Sequence, residues 1–170
     1  MKSLIEVTQV NEEELPNIYC DMDMVICDFI GGYEKLTGKE FAKTDKKERW
    51  SEITAKKDFW ATLDWMPGSE RMWKLINKYN ANILSAYSNN DSNSRPGKKK
   101  WLSRNAKPTG KVHLVMRADK QKYATLGAKP NILIDDYIKN INEWEAAGGI
   151  GIHHTSPTTT ISQLKRYGFR

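Results

Sequence analysis

The stretch Ile18–Asp23, which reads IYCDMD, and the stretch Ile132–Asp136, which reads ILIDD, decide the fold. Each is a short apolar run that is followed by two acidic residues. Short, β-prone apolar runs of this kind predict buried strands. In an open α/β sheet, ligands bind beyond the carboxyl ends of the strands, so we expect the acids of both stretches to converge in one crevice.

The acidic residues have a structural explanation and a chemical one. Asp is common at strand ends because it caps helices and initiates turns, and either stretch alone is compatible with that role. Two such stretches at matching positions favour a chemical role for the acids over a purely structural one. Carboxylates repel one another, and their convergence is explained by a hard cation such as Mg²⁺ between them. A carboxylate beside Mg²⁺ can then act as a nucleophile towards a phosphate group.

Composition places the chain among ordinary globular proteins. Its 170 residues are enough for one domain with its own core, and 39% of them are hydrophobic. No apolar run is long enough to cross a membrane, and residues 1–15 lack the pattern of a signal peptide. The only cysteines, Cys20 and Cys27, have no metal-type spacing, which predicts a reduced, cytoplasmic protein. The net charge of +6 suits an anionic ligand.

Strands and helices alternate from residue 68 onward, which predicts a parallel sheet with helices on both faces, an α/β Rossmann-like fold. The predicted strands span residues 17–21, 81–86, 112–116, 131–134 and 149–153. Two of the predicted helices begin at Ser69 and Lys98, and a third spans residues 138–147. The last predicted helix begins at the capping-box pair Thr160 and Gln163. A short helix or turn is predicted at residues 120–126.

Residues 30–67 break this alternation and are rich in aromatic side chains. They predict a small helical cap, so that residues 1–29 and 68–170 form the α/β core. The chain contains neither a Gly-x-Gly-x-x-Gly motif nor a Gly-Lys-Ser/Thr phosphate loop. Dinucleotide-binding and P-loop proteins are therefore disfavoured.

The positions of the polar residues suggest roles in phosphate chemistry. Asp21 would attack phosphorus and form a phosphoaspartate, and Asp23 would protonate the leaving oxygen, later activate water, and offer its backbone carbonyl to the metal. Ser85 closes the second strand, where its hydroxyl and a neighbouring backbone N–H could hold a phosphate oxygen or simply initiate a turn. The candidate cations for the phosphoryl group are Lys98, Lys99, Lys100, Arg117 and Lys120. A lysine run such as 98–100 is often the solvated start of a helix. Lys120 has the better placement for a catalytic cation, since it follows Arg117-Ala118-Asp119 at a strand end.

Four ordered motifs resemble the haloacid dehalogenase-like (HAD) superfamily over residues 17–155. They are Asp-x-Asp-x-Val at 21–25, Ser85 at the end of the next strand, the downstream Lys120, and the pair Asp135-Asp136. In phosphatases of that superfamily the first Asp is the nucleophile and the second is the acid/base. The resemblance implies that the downstream acidic pair, together with the first acids, holds Mg²⁺.

A closer resemblance is to the 5′(3′)-deoxyribonucleotidases. The matching segments are Asp21–Phe29, the aromatic Phe59–Gly68, the phosphate-site segment Arg117–Lys120, Leu133–Asp136, and Lys98, which precedes a Trp by three positions. The chain departs from that group at Met24, where Gly is usual, and at Ser85-Ala86, which replaces a pair of hydroxyl residues. The insertion at residues 30–67 is also short for that group, so the resemblance does not by itself identify the substrate.

The resemblance implies a Mg²⁺-dependent phosphomonoesterase that acts on a nucleoside monophosphate. Ser85, Ala86, Lys98 and Arg117 would bind the phosphate. Phe59 and Trp60 would stack on the base or sugar, unless they only attach the cap to the core. Alternatives are a phosphatase that processes nucleic-acid ends, a phosphoaccepting receiver domain and a non-catalytic binding protein. The receiver alternative fits poorly, because receivers place their first acids next to each other.

Overall fold

The computed structural model describes residues 15–170 and contains a five-stranded sheet in the order β3-β2-β1-β4-β5. All neighbouring strands are parallel. The strands are β1 (Ile18–Cys20), β2 (Asn82–Ala86), β3 (Val112–Val115), β4 (Ile132–Asp135) and β5 (Ile150–His153). The predicted α/β Rossmann-like fold is confirmed.

Six α-helices accompany the sheet in the described part of the chain. They are α1 (Phe29–Thr37), α2 (Lys46–Ala55), α3 (Ser69–Asn77), α4 (Ser94–Trp101), α5 (Ile138–Ala146) and α6 (Pro157–Arg166). Short 3₁₀ segments lie at Phe41–Lys43 and Arg117–Tyr123, and α4 continues into a π-helical turn at Leu102–Ala106. None of the described helices is long and apolar enough to cross a membrane.

The strand order creates a switch point between β1 and β4. From the central β1 the chain moves to one side through β2 and β3, and then returns to place β4 on the other side of β1. Cys20 pairs with Ile134, and the backbone N–H of Asp21 donates to the Ile134 carbonyl at 2.9 Å. The two strands therefore end side by side, and the residues that come after them face one crevice.

Apolar side chains cover both faces of the sheet. Along β1, Ile18 and Cys20 belong to the larger core, which also contains buried residues of α3, α4 and α6. Tyr19, between them, belongs to a smaller cluster on the opposite face with Ile141 and Trp144 of α5. Successive strand residues point to opposite faces, so two buried clusters confirm the sheet with helices on both sides.

Residues 30–67 contain most of α1, the first 3₁₀ segment and α2, as the prediction of a mainly helical insertion requires. Their buried side chains, which include Tyr33, Ile53, Phe59, Trp60 and Leu63, belong to the same cluster as the sheet residues. The insertion thus shares its apolar core with the sheet. Its treatment as a separate cap domain stays a prediction.

Two helices begin earlier than the sequence predicts. Helix α6 begins at Pro157, with the Ser156 hydroxyl accepting from the Thr159 N–H at 3.2 Å, so the predicted cap at Thr160 is wrong. Proline is favoured in a first helical turn, which explains why Ser156-Pro157 opens the helix. Helix α4 likewise begins at Ser94, before the predicted Lys98.

Thr160 instead contacts His154, a buried histidine whose surroundings favour the neutral imidazole. The His154 Nδ1 atom lies 2.7 Å from the Thr160 hydroxyl. Burial, with a smaller effect of His153, lowers the pKa of His154 to about 4. Below the pH at which a free imidazole titrates, the unfolded chain therefore binds a proton that the folded chain does not.

We predict that the free energy of unfolding falls as the pH decreases from about 6.5 to about 4, by up to about 3 kcal/mol from this residue alone. His154→Asn keeps a polar atom near the Nδ1 position and should flatten this part of the pH dependence. Urea unfolding of the wild type and of His154→Asn at several pH values measures it. An unchanged pH dependence in His154→Asn would contradict the assignment.

Candidate active site

A tight turn after β1 positions the first pair of acids. The Met22 carbonyl accepts hydrogen bonds from the N–H groups of Val25, Ile26 and Cys27, at 2.9 to 3.1 Å. Met24 adopts a left-handed conformation with φ of 61°. A side chain in this region costs about 1–2 kcal/mol, so a glycine would adopt this conformation with less strain. The turn ends the strand at once and so keeps Asp23 near Asp21.

Three carboxylates from β1 and β4 form a compact cluster. Asp21, Asp135 and Asp136 each offer one oxygen, and these oxygens all lie within 4.8 Å of one another. Burial, followed by the charges of Asp21 and Asp135, raises the pKa of Asp136 to about 7. Oxygen donors gathered in this way, with one of them resisting ionisation, fit a hard divalent cation.

The two acids at the end of β4 have different surroundings. Asp135 is completely buried, and its Oδ2 accepts from Lys120 at 2.7 Å and from Asn140 at 2.9 Å. Its Oδ1 accepts from the Tyr137 N–H at 2.9 Å. Asp136 is half-buried, and no side chain of residues 15–170 donates to its carboxylate. Asp136 therefore has more free lone pairs to offer a cation, whereas Asp135 is held in place by its donors.

Lys120 compensates part of the negative charge. It lies on the 3₁₀ segment after β3, and its Nζ is 3.1 Å from Asp21 and 2.7 Å from Asp135. Burial disfavours the ammonium, but the two carboxylates outweigh that effect and raise the pKa of Lys120. The lysine thus stays charged and fixes Asp21 relative to Asp135. Its predicted role towards a phosphoryl group stays a prediction.

A second lysine organises the opposite side of the cluster. The Lys98 Nζ, which is buried, donates to Asp23 Oδ2 at 2.7 Å, to the Ser85 hydroxyl at 2.9 Å and to the Ala86 carbonyl at 2.7 Å. Because the hydroxyl accepts this bond, its own hydrogen remains available for an anionic oxygen. The structure therefore brings Lys98, Ser85 and Ala86 together beside Asp23.

Asp23 has the surroundings of a proton donor. Its Oδ1 is buried and has no hydrogen-bond partner among the described residues. Desolvation raises the pKa of Asp23, and the nearby Lys98 offsets this only in part. A carboxyl group with a raised pKa is better suited to donate a proton to a leaving oxygen.

A pocket of about 470 Å³ opens next to Asp23, within the size range of small-molecule sites. It is lined by Asp23, Phe29, Trp50, Trp60, Ala86, Tyr87, Ser88, Asn89, Asn90 and Met116. The Trp60 ring stacks on Phe29 at 5.3 Å, and its Nε1 donates to the buried Asp91 at 2.7 Å. Trp60 is therefore a fixed wall of the pocket, whereas Trp50 and Tyr87 are half-buried rings at its surface.

Two of the predicted phosphate- or ligand-binding residues have other surroundings. Phe59 is buried and lines a separate depression together with Lys35 and Leu36. The Arg117 guanidinium donates to Glu143 at 2.8 Å and to Asn140 at 3.0 Å, both on α5. Arg117 thus reaches the acidic cluster through Asn140, which in turn holds Asp135.

Several residues of the site were not predicted from the sequence. Asn140 lies in the first turn of α5, close to the end of β4. A polar residue in a first helical turn is common, so its sequence position does not identify it as a site residue. Asp91 lies in a polar loop, and no local pattern distinguishes it from its neighbours. His153, whose Nε2 lies 2.9 Å from the Asp136 carbonyl, ends β5 beside the cluster and was identified only as part of a strand.

Comparison with known proteins relates the chain to other proteins through its fold. No protein-family model matches it, and no curated protein matches its sequence. An uncharacterized protein from Corynebacterium glutamicum has a TM-score of 0.50 and 16% identity, over 92% of this chain and 97% of its own. A hydrolase from Streptococcus pneumoniae has a TM-score of 0.56 and 13% identity, over 89% and 98%. At such low identity, these similarities concern the fold alone.

We predict that Lys120→Met destabilises the protein by ~3–5 kcal/mol in a chelating buffer, because it leaves buried carboxylates without their counter-charge. Urea unfolding measures the loss. Lys122→Met is the matched control, since that exposed lysine pairs with Asp119 at 2.7 Å and should contribute less than ~1 kcal/mol. Equal losses in the two variants would show that Lys120 does not balance the cluster.

Proposed function

We propose that the protein is a Mg²⁺-dependent phosphomonoesterase of the HAD type, in which Asp21 is the nucleophile. The observation that supports this most directly is the position of Asp21, within reach of Asp135 and Asp136 and in contact with Lys120. Asp23 and Lys98 lie on the other side. Acids, positive charge and oxygen ligands for a hard cation at one sheet edge are the groups that metal-assisted phosphoryl transfer needs.

The reaction would have two steps. An oxygen of Asp21 forms a bond to phosphorus while the ester P–O bond breaks, and Asp23 gives its proton to the leaving oxygen. Asp23 then takes a proton from water, whose oxygen attacks the phosphorus of the phosphoaspartate. The bond to Asp21 breaks, which releases inorganic phosphate and restores both carboxyl groups.

Phosphate oxygens would be held by groups already gathered at the site. The Ser85 hydroxyl would donate its free hydrogen to an oxygen on the Asp23 side, and Lys98 would contribute its positive charge, because its three N–H groups already bind Asp23, Ser85 and Ala86. Asp136, with Asp21 and Asp135 beside it, would hold Mg²⁺. The bound cation would supply charge stabilisation for the transferring phosphoryl group.

The proposed substrate is a nucleoside monophosphate, and the enzyme would be a 5′(3′)-deoxyribonucleotidase. The pocket beside Asp23 offers aromatic faces from Trp50 and Tyr87 and amide groups from Asn89 and Asn90. Aromatic faces suit a planar base, and amides can pair with its polar edge. The hydrolase from Streptococcus pneumoniae has a related fold, which is compatible with this proposal.

We predict that Asp21→Asn keeps the fold and lowers kcat by at least ~1,000-fold, because an amide is a poor nucleophile. Release of inorganic phosphate from nucleoside monophosphates measures kcat, and chelation of Mg²⁺ should abolish it reversibly. Asp119→Asn, on the same 3₁₀ segment as Lys120, is the control and should remain active. Near-normal turnover by Asp21→Asn would rule out the assignment of the nucleophile.

The positions of Trp50 and Phe59 predict different roles for them in substrate binding. Trp50→Leu should raise the KM for a nucleoside monophosphate by ~5–150-fold, since stacking on a base contributes ~1–3 kcal/mol. Phe59→Leu should leave this KM within ~2-fold, because Phe59 lines the separate depression. β-Glycerophosphate, which has no ring, should be affected by neither change. Equal effects of Trp50→Leu on both substrates would make Trp50 a structural residue.

A further inference from the structure

A second concavity, which we call the basic groove, lies beside the pocket next to Asp23, which we call the aromatic pocket, and has no part in the proposed chemistry. Its volume is about 380 Å³. It is lined by Lys57, Asp58, Ala61, Thr62, Asn93, Pro96, Gly97, Lys100 and Arg104. One wall comes from the segment after α2, and the other comes from α4 and the π-helical turn that continues it.

The basic groove carries unbalanced positive charge. Lys57, Lys100 and Arg104 are exposed, and none of them forms an ion pair within residues 15–170. The one acid in the lining, Asp58, is bound to Lys56 at 3.1 Å. Three cations therefore face the groove, while its carboxylate already has a partner.

The groove adjoins the aromatic pocket across a thin wall. Gly97 packs so tightly on Trp60 that an added Cβ atom would lie 2.6 Å from the Trp60 Cβ. Trp60 lines the pocket on one side of this contact, and Gly97 lines the groove on the other. Helix α4 links the two, because Lys98 points inward to Asp23 while Lys100 is exposed in the groove. A chain of phosphates that approaches the catalytic pocket would thus meet these cations.

We propose that the basic groove binds a single-stranded nucleic acid through its backbone phosphates. Exposed, flexible lysine and arginine side chains suit a polyanion, whereas an isolated phosphate would need an enclosed set of fixed donors. A membrane surface is less suitable, because the groove is concave and offers no large apolar side chain for insertion. The proposal does not depend on the proposed function, since it concerns binding outside the catalytic pocket.

Fluorescence anisotropy with a labelled, unphosphorylated single strand of about 12 nucleotides tests the proposal on the full chain. The variant with Lys57→Gln, Lys100→Gln and Arg104→Gln should bind at least ~10-fold more weakly at low salt. The slope of log affinity against log salt should become shallower by ~2, at ~0.7 for each lost contact. Asp21→Asn should bind like the wild type, which separates this result from any failure of the catalytic assignment.

Matched controls decide between a local groove and general charge. Arg71→Gln, Lys165→Gln and Arg166→Gln remove the same net charge from exposed positions on α3 and α6, and should leave the salt slope unchanged. Equal losses in the two triple variants, or no binding of the strand by the wild type at low salt, would overturn the proposal. The proposal would also be overturned if the groove variant lost binding to phosphatidylserine vesicles but kept its binding to the single strand. Each single Gln variant, with an expected change of ~0.7 in slope, serves if the triple variant is unstable.

Discussion

Repulsion among carboxylates at the switch point between β1 and β4 is the constraint around which the structure is arranged. Asp21, Asp135 and Asp136 are brought together by strand pairing, which holds their backbones in register whatever their charges. Such a cluster persists only where positive charge or hydrogen-bond donors offset the repulsion. Lys120 supplies charge to two of the three acids, and the high pKa of Asp136 shows where the compensation is incomplete.

The supports of this cluster come from elements far apart in the sequence. Lys120 lies after β3, and Asn140 of α5 holds the same Asp135 oxygen while it accepts from Arg117. On the other side, Lys98 of α4 ties Asp23 to the end of β2. The acidic edge of the sheet is therefore fixed by side chains from three different connections. The aromatic pocket and the basic groove lie on either side of the contact between Gly97 of α4 and Trp60.

The sheet and its acidic edge were predictable from the sequence because their signals are local. Buried parallel strands read as short apolar runs, and the acids come directly after them. Features that depend on tertiary contacts were not predictable in the same way. Phe59 and Trp60 are neighbours in the sequence, yet the turn that contains them directs one ring to a separate depression and the other to the aromatic pocket beside Asp23. Likewise, the partner of Arg117 lies 26 residues away on α5, at a distance in sequence that no local pattern spans.

We propose that the acidic cluster holds one divalent cation, with Asp136 as a direct ligand. Isothermal titration of the metal-free protein with Mg²⁺ tests it without reference to any substrate. We predict a single site in the wild type, an affinity at least ~10-fold lower in Asp136→Asn, and no change in the control Asp119→Asn. An affinity of Asp136→Asn equal to that of the wild type, or no Mg²⁺ binding at all, would contradict the account.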